Sequence, residues 1–318
     1  MDRRLLLKAS LGLSLAPHIA QAQNLEGPPA QLISWPKMTS QYVAPHDVLI
    51  WLPHNYETRT KPLASLYVMD GQNGFSPSPY SGSDWGLAQT IPRLVAEGKI
   101  KDMIIIAISS GADRNAEYMP QKIVSVLPET YQDKARHFNA TAPQTKYPIS
   151  DAFLHFLITE LKPKIETSFK VSTLPQDTAI IGASMGAEIA LYAHGEYPDH
   201  FGASASLSMP WVVFDLAKDK GEIEANARIL AAAYGAWLGS CPLSLSKDQS
   251  PHRLYMDQGT VGLDEQFTPY LDAMRPILAQ TGWHDGRDLE IEIIAGGQHS
   301  EKDWKARLGP IMGFILPA

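Results

Sequence analysis

A serine at position 184 lies between two glycines, in the run Gly182-Ala183-Ser184-Met185-Gly186. An apolar run that starts at Thr178 ends at this motif, and apolar residues with helical spacing follow it. The pattern predicts a strand, a sharp turn and a helix, with Ser184 at the apex of the turn. Such a turn holds a serine in a strained backbone conformation and raises its hydroxyl above the sheet, where it can act as a nucleophile. Both glycines are expected because larger side chains would collide across the turn.

A serine nucleophile needs a general base, and His299 is the candidate with the most suitable position. It ends the run Gly296-Gly297-Gln298-His299, which follows a predicted strand from Leu289 to Ile294. Ser300 and Asp303 form a capping pattern for the next helix, which leaves the imidazole on the loop. An imidazole with an ordinary pKa of about 6.5 can take the serine proton and return it to a leaving group near neutral pH.

The other nine histidines have no such setting. His194 and His200 are among them, and their spacing and surroundings do not match a set of metal ligands. We interpret all nine as solvated residues and predict no metal site.

Three carboxylates could orient the imidazole, and all follow a predicted strand from Arg253 to Met256. Asp257 lies at the strand end, and Asp264 and Glu265 lie further along the loop. The acid must reach the base to fix its tautomer and to stabilise the imidazolium. We favour Asp264 because of its reach, with Asp257 second and Glu265 third. Asp257 is instead expected to accept hydrogen bonds from backbone donors in the turn.

Two backbone N–H groups could stabilise the oxyanion of a tetrahedral intermediate, each lowering the barrier by roughly 3 to 4 kcal/mol. One belongs to Met185, directly after the serine and at the start of the predicted helix. The other is assigned to Gln72, in the loop Asp70-Gly71-Gln72 after a predicted strand. Gly71 would let the backbone approach the substrate. The alternative is a tight Asp-Gly turn without a catalytic role.

Three more side chains are candidates for substrate binding: Arg114, Tyr118 and Trp211. Arg114 could bind an acidic or carbonyl group, or it could form an ion pair with Glu117 that fixes the loop. Trp211 could form a wall of the acyl pocket, or it could be a core tryptophan near the sheet edge. Residues 109–150 contain several prolines and little periodicity, so we predict a long loop or cap that shapes the pocket.

The segments around these residues alternate between strand and helix patterns. Strands are predicted at 47–53, 63–69, 103–108, 178–182, 203–207, 253–256 and 289–294, and helices at 85–97, 153–169, 225–238, 267–280 and from 301, besides the helix after Ser184. Pro163 should end or kink the helix over 153–169. This alternation predicts one α/β domain with a doubly wound, mostly parallel sheet and helices on both faces.

The first 22 residues have the pattern of an export signal. Arg3 and Arg4 precede an apolar stretch, and Ala20-Gln21-Ala22 matches a cleavage site. The arginine pair resembles a twin-arginine signal, with a general secretory signal as the alternative. The apolar stretch is too short for a stable membrane span. We therefore predict a periplasmic or secreted protein with a loose lead-in over 23–44 and the catalytic domain over 45–318.

Composition excludes some classes of function. The 318 residues carry a formal net charge of −7 and no basic run, which disfavours a nucleic-acid partner. A hydrophobic content of 44% is enough for a large core. The single cysteine, Cys241, excludes an intramolecular disulfide.

Several motifs together resemble the esterase D-like "putative esterase" family of α/β-hydrolases. They are Tyr67 to Asn73, Arg114 to Pro120, Gly182 to Gly186, Asp257 to Thr260 with Leu263-Asp264, and Gly297 to Glu301 with Trp304 and Arg307. They span about residues 45 to 316. Relatives often have Gly-Ser-Ser-Met-Gly-Gly at the serine, where this chain has Ala183 and Ala187.

The resemblance implies a serine carboxylesterase that needs no cofactor and acts on a small-molecule ester. It also implies a triad of Ser184, Asp264 and His299, with Gln72 and Met185 as the oxyanion hole. Siderophore esters and acylated carbohydrates are the substrates that best fit an exported member. The alternatives are acyl transfer of the mycolyltransferase type and, from another class, a non-catalytic binding protein on the same scaffold.

Overall fold

The structure, a computed structural model, describes residues 29–138, 148–211, 213–214, 216–246 and 251–318. The predicted export signal and the start of the predicted lead-in lie outside these ranges. Within them, no helix has the length and apolar character needed to cross a bilayer.

Within the described ranges, eight strands form one sheet. They are β1 (Gln31–Met38), β2 (His46–Leu52), β3 (Ala64–Met69), β4 (Met103–Ile108), β5 (Thr178–Ala183), β6 (Ala203–Leu207), β7 (Arg253–Gly259) and β8 (Leu289–Ile294). Their order is β1-β2-β4-β3-β5-β6-β7-β8, so β1 and β8 are the edge strands. The pairs β1–β2 and β2–β4 are antiparallel, and all other pairs are parallel.

The helices cover both faces of the sheet. They are α1 (Leu87–Ala96), α2 (Arg114–Tyr118), α3 (Gln121–Ser125), α4 (Glu129–Phe138), α5 (Ser150–His155), α6 (Lys162–Ser168), α7 (Met185–Glu196), α8 (Lys220–Leu238), α9 (Pro242–Ser246), α10 (Thr268–Gln280) and α11 (Glu301–Ile315). The alternation of strands and helices confirms the predicted α/β class.

Successive side chains of each central strand enter different cores. In β3, Tyr67 and Met69 belong to one buried cluster, while Leu66 and Val68 belong to the cluster on the other face. Every residue of β3, β4 and β5 is buried. Strands covered on both faces have near-continuous apolar sequences, which is why these strands could be predicted from composition alone.

Three segments differ from the sequence-based expectation. Part of the predicted loose lead-in forms β1, which pairs with β2 from Gln31 to Met38. The predicted long loop over 109–150 contains α2, α3, α4 and the start of α5 in its described part; Pro143 lies outside the described residues. Pro163 lies in the first turn of α6, directly after a π-helical turn over Phe156–Leu161. A proline there removes a backbone donor, so the helix widens before it and continues beyond it.

Candidate active site

Ser184 lies at the junction of β5 and α7, at the carboxyl end of the strand. Its backbone has φ 56° and ψ −131°, a conformation that non-glycine residues rarely adopt. The Ser184 N–H donates to the carbonyl of Leu207 at 2.9 Å, which ties the turn to β6. The strained backbone is thus fixed by its neighbours and holds the serine at the apex of the turn.

The two glycines of the motif are required for different reasons. A Cβ on Gly182 would lie 2.0 Å from the carbonyl oxygen of Gly186, so a larger residue would collide across the turn as expected. A Cβ on Gly186 would instead meet Oδ2 of Asp70 at 3.0 Å, on the loop after β3. The second glycine therefore keeps α7 close to a neighbouring strand.

His299 and Asp264 are hydrogen-bonded to each other. Nδ1 of His299 lies 2.6 Å from Oδ1 of Asp264, and the carboxylate is fully buried. The imidazole packs nearly perpendicular to the rings of Phe267 and Trp304, with ring centroids 5.7 and 5.2 Å away. The structure thus holds the imidazole in one orientation from three sides.

The second oxygen of Asp264 is also saturated. Oδ2 accepts hydrogen bonds from the Ser208 hydroxyl at 2.6 Å and the Gly259 N–H at 2.7 Å. Burial by itself raises the pKa of this carboxyl, but the hydrogen bonds from His299, Ser208 and Gly259 outweigh it and lower the pKa below its ordinary value. Asp264 therefore stays ionised beside the imidazole.

The other two carboxylates considered as the acid are placed elsewhere. Asp257 forms a bidentate pair with Arg307, at 2.7 and 2.8 Å, and its Oδ1 also accepts the Ser208 N–H at 3.1 Å. Glu265 is exposed. Asp264 is thus the carboxylate that the structure brings to His299.

Ser208 is a residue that the sequence did not single out. It follows β6 with φ 47°, and its hydroxyl accepts from Trp304 Nε1 and Arg307 Nη2, both at 2.9 Å, while donating to Asp264. This one hydroxyl connects the Asp257–Arg307 pair to Asp264. A serine in an unremarkable loop carries no sequence signal for such a role.

The loop after β3 lies beside the serine. Gln72 belongs to a 3₁₀ turn over Gly71–Asn73, and its side-chain amide exchanges two hydrogen bonds with Ser110, at 2.9 and 3.0 Å. Met185 is the first residue of α7, so its N–H has no acceptor within the helix. The assignment of these two N–H groups to an oxyanion hole stays a prediction.

Gly71 is also required for packing within the protein. A Cβ at this position would lie 2.3 Å from the Ala107 carbonyl carbon and 2.5 Å from the Ile108 nitrogen. The glycine therefore lets the loop pack on the end of β4. This contact sets the position of the next residue, Gln72.

Arg114 forms a bidentate ion pair with Asp70, with both hydrogen bonds at 2.7 Å. The alternative ion pair of Arg114 with Glu117 does not form among the described residues, because Glu117 is buried and bound to His46 at 3.1 Å. Burial alone lowers the pKa of Arg114, but Asp70 outweighs this effect and raises it. Arg114 is therefore a fixed cation that lines the cavity described below.

Tyr118 and Trp211 lie behind the surface of the site. The Tyr118 hydroxyl accepts the Asp70 N–H at 3.2 Å, and the ring lies under the Arg114 guanidinium at 5.2 Å. Trp211 is 2% exposed and packs edge-on against Tyr234. Tyr118 thus supports Asp70 and Arg114, and Trp211 is a core residue; neither lines the described cavity.

A cavity of about 380 Å³ opens above the serine. Its lining includes Ser184, His299, Gln72, Arg114 and Ser110, and its walls are completed by Asp70, Asn73, Tyr80, Trp85, Ala183, Glu301 and Trp304. The nucleophile and base candidates therefore face the same solvent-accessible space. An ester carbonyl in this space could meet the serine hydroxyl, the imidazole and the N–H donors together.

Of the histidines in the described part of the chain, three are buried, contrary to the expectation of solvated residues. His46 pairs with Glu117, as above. His194 lies between Ser204 and His252, with hydrogen-bond distances of 3.1 Å to each. Burial lowers the pKa of both His194 and His252, so the pair is neutral near pH 7. Among the described residues, no group of three or more potential ligands could hold a metal ion.

Known proteins that are similar to this chain include one curated relative and several solved structures. A Bacillus subtilis protein described as "Uncharacterized protein YbbA" is 24% identical over 159 residues, and the match spans 50% of this chain and 54% of that protein, about half of each. A solved structure of a ferulic acid esterase is 17% identical with a TM-score of 0.59, over 91% of this chain and 98% of that chain. An IroE-like serine hydrolase from Shewanella oneidensis is 16% identical with a TM-score of 0.60, over 90% and 78%.

At these identities the solved structures establish the shared fold. The family assignment comes from a family model described as "Putative esterase", which matches residues 43–315 and so includes every site residue above. The chain therefore belongs to this esterase family and has the α/β fold of its structural neighbours.

Proposed function

We propose that this protein is an exported serine hydrolase that cleaves carboxylic esters through an acyl-enzyme on Ser184. The observation that carries the proposal is the shared cavity. It is lined by a serine at the apex of a strand–helix turn and by an imidazole whose other nitrogen is bound to a buried carboxylate. These are the groups that nucleophilic acyl transfer requires.

Each group has one role in the proposed reaction. The Ser184 hydroxyl attacks the ester carbonyl, and Nε2 of His299 takes its proton while Asp264 stabilises the imidazolium. The N–H groups of Met185 and Gln72 stabilise the oxyanion. His299 then gives the proton to the leaving alcohol, and a water molecule activated by the same imidazole hydrolyses the acyl-enzyme.

The substrates proposed are acylated carbohydrates or siderophore esters. A structural neighbour described as a ferulic acid esterase supports an ester whose acyl group is aromatic, which the indole rings of Trp85 and Trp304 at the cavity wall would contact. Acyl transfer to an alcohol is the second candidate, because the cavity is open to solvent and an alcohol could replace water. Adding acceptor alcohols and measuring new ester against free acid separates the two reactions.

Replacement of the nucleophile tests the mechanism. We expect Ser184→Ala to lower kcat on p-nitrophenyl acetate or butyrate by about 10⁴-fold or more, because no acyl-enzyme can form. Wild-type protein quenched during turnover should gain the mass of the acyl group, and the variant should not. Ser125→Ala, at an exposed serine that does not line the cavity, is the control and should behave as wild type. Equal activity of Ser184→Ala and wild type would rule out the mechanism.

The proposal of export is tested separately. A twin-arginine signal requires its arginine pair, so changing Arg3 and Arg4 to lysine should retain the full-length protein in the cytoplasm. A general secretory signal would tolerate this change. Fractionation of expressing cells distinguishes the two routes, and cytoplasmic wild-type protein would contradict export.

A further inference from the structure

The hydroxyl of Ser208 is fully buried directly after β6 and has three hydrogen-bond partners. Nε1 of Trp304 and Nη2 of Arg307 each lie 2.9 Å from its oxygen, and Oδ2 of Asp264 lies 2.6 Å from it. An indole N–H and a guanidinium can only donate, so both use the hydroxyl oxygen as an acceptor. A hydroxyl has one proton and two lone pairs, so its proton must point to Asp264. Two residues of α11 therefore fix the direction of this hydrogen bond.

The fixed direction favours the ionised form of Asp264. Oδ2 accepts hydrogen bonds from the Ser208 hydroxyl and from the Gly259 N–H at 2.7 Å, so this oxygen carries no proton of its own. Hydrogen bonds to a carboxylate stabilise its charged form. When the carboxyl is ionised, the proton between Oδ1 and His299 stays on Nδ1 of the imidazole. The Ser208 hydroxyl thus acts on the base through the carboxylate.

The backbone of Ser208 is held as well as its side chain. Its φ of 47° lies in the left-handed region, which residues other than glycine rarely adopt. The Ser208 N–H donates to the carbonyl oxygen and to Oδ1 of Asp257, at 2.9 and 3.1 Å. Arg307 binds the Asp257 carboxylate at 2.7 and 2.8 Å and also reaches the Ser208 hydroxyl. Such a conformation persists only where the surrounding structure fixes it, and it often occurs at functional sites.

The helix α11 contacts both the base and the serine that holds its carboxylate. It begins at Glu301, two residues after His299, and Trp304 and Arg307 lie three residues apart on one face of it. The Trp304 ring packs against the imidazole with centroids 5.2 Å apart, and its N–H binds Ser208. The imidazole and the donor to its carboxylate are therefore positioned by the same rigid element.

We propose that Ser208 is a positioning residue of the active site. Its hydroxyl, held by Trp304 and Arg307, keeps Asp264 as an ionised acceptor and so keeps the imidazole in the tautomer that can take the nucleophile's proton. Ser208 does not line the cavity above Ser184, so it acts through Asp264 and not on the substrate. This inference rests on the proposed function and adds to it a residue outside the triad and the oxyanion hole.

Removal of the hydroxyl tests the role of Ser208. We expect Ser208→Ala to lower kcat on p-nitrophenyl butyrate by about 10- to 100-fold, the loss expected for one hydrogen bond to a charged group. KM should stay within about twofold, because the substrate does not contact this residue.

The proton between His299 and Asp264 provides a second measurement. It should give a low-field proton NMR resonance, which is assigned by its absence from His299→Gln. Ser208→Ala should move this resonance to lower field, because a carboxylate with one donor fewer binds the Nδ1–H more strongly. A loss of packing alone would not change the resonance in this direction.

Ser206→Ala is the matched control. Ser206 is also a buried serine at the end of β6, but its hydroxyl donates to the Ala187 carbonyl at 3.0 Å. This variant should keep the kcat and the resonance of wild type. Ser208→Gly also lacks the hydroxyl but adopts a φ of 47° without strain, so it should show the same loss and keeps the test valid if Ser208→Ala does not fold.

The outcomes separate the positioning role from the proposed function. Wild-type kcat in the folded Ser208 variants, or an unmoved resonance, would overturn the role of Ser208 while leaving ester hydrolysis intact. An equal loss of kcat in Ser206→Ala would also overturn it, because any buried hydroxyl of this strand would then have the same effect. Failure of wild type to release p-nitrophenol at all would instead overturn the proposed function.

Discussion

The side chains of Asp264 and His299 meet at 2.6 Å, and the carboxylate has no solvent exposure. Both of its oxygens are occupied, one by the imidazole and the other by Ser208 and Gly259. A carboxylate held in this way accepts a hydrogen bond from Nδ1–H of His299. The proton is then on Nδ1, and the unprotonated Nε2 is the nitrogen left for the cavity. The tautomer needed for a general base is therefore built into the resting structure.

Replacing this carboxylate should disable catalysis without removing the nucleophile. Asp264→Asn can donate a proton to Nδ1 and so favours the other tautomer, and we expect kcat on a p-nitrophenyl ester to fall by about 10³- to 10⁴-fold. Steady-state rates at pH 7.5 measure this. Glu265→Gln, the exposed neighbour, should have no effect. A variant at position 264 with wild-type kcat would refute the assignment.

The ion pair between Asp257 and Arg307 should matter for stability. Arg307→Met leaves the buried Asp257 carboxylate without its cation, and we expect a loss of about 3 to 5 kcal/mol in the free energy of unfolding. The double variant Asp257→Leu with Arg307→Met removes both charges and should recover much of the loss. Urea unfolding measures both. Equal destabilisation by the single and double variants would show that packing, and not the unpaired charge, is responsible.

The buried pair of His194 and His252 should make the fold sensitive to acid. Burial lowers the pKa of each imidazole in the folded state, so the unfolded chain binds more protons below its ordinary pKa of about 6.5. This contribution to stability is complete above that pH and is lost as the pH falls, by up to about 1.4 kcal/mol per pH unit for each imidazole. His46, whose pKa is raised because Glu117 outweighs the effect of burial, acts in the opposite direction.

The contribution of His194 and His252 can be isolated by comparing how the melting temperatures of a variant and of wild type change with pH. His194→Gln keeps a polar side chain beside Ser204 but cannot be protonated, so its melting temperature should fall less than that of wild type between pH 7.5 and 5. His284→Gln, an exposed histidine, is the control and should follow wild type. Parallel curves for His194→Gln and wild type would contradict the prediction.

Much of the architecture could be predicted because local pattern and tertiary structure agree there. The central strands are largely apolar since both faces are buried, and a glycine is required at 182 because a Cβ there would lie 2.0 Å from the Gly186 carbonyl oxygen of the same turn. His299 could also be predicted from local pattern, because the glycine-rich loop after the last parallel strand must lie at the same edge of the sheet as Ser184.

The remaining features depend on contacts between distant segments. Ser208 and Asp264 are 56 positions apart, and only the fold brings the hydroxyl to the carboxylate. The sequence could not decide whether Trp211 lines the pocket or lies in the core, because its burial depends on packing against distant residues such as Tyr234. The sequence of β1 shows little alternation of apolar and polar residues, because much of the strand is exposed. Its pairing with β2 could therefore not be predicted from hydrophobic periodicity.

The edge strand β8 has a consequence for how these molecules meet in solution. Glu290 and Glu292 project from the strand, while Ile293 is exposed beside them. A second chain that paired with this edge would bring carboxylates of both copies together, and like charges across a strand pair are unfavourable. The two glutamates therefore oppose edge-to-edge growth of the sheet into aggregates.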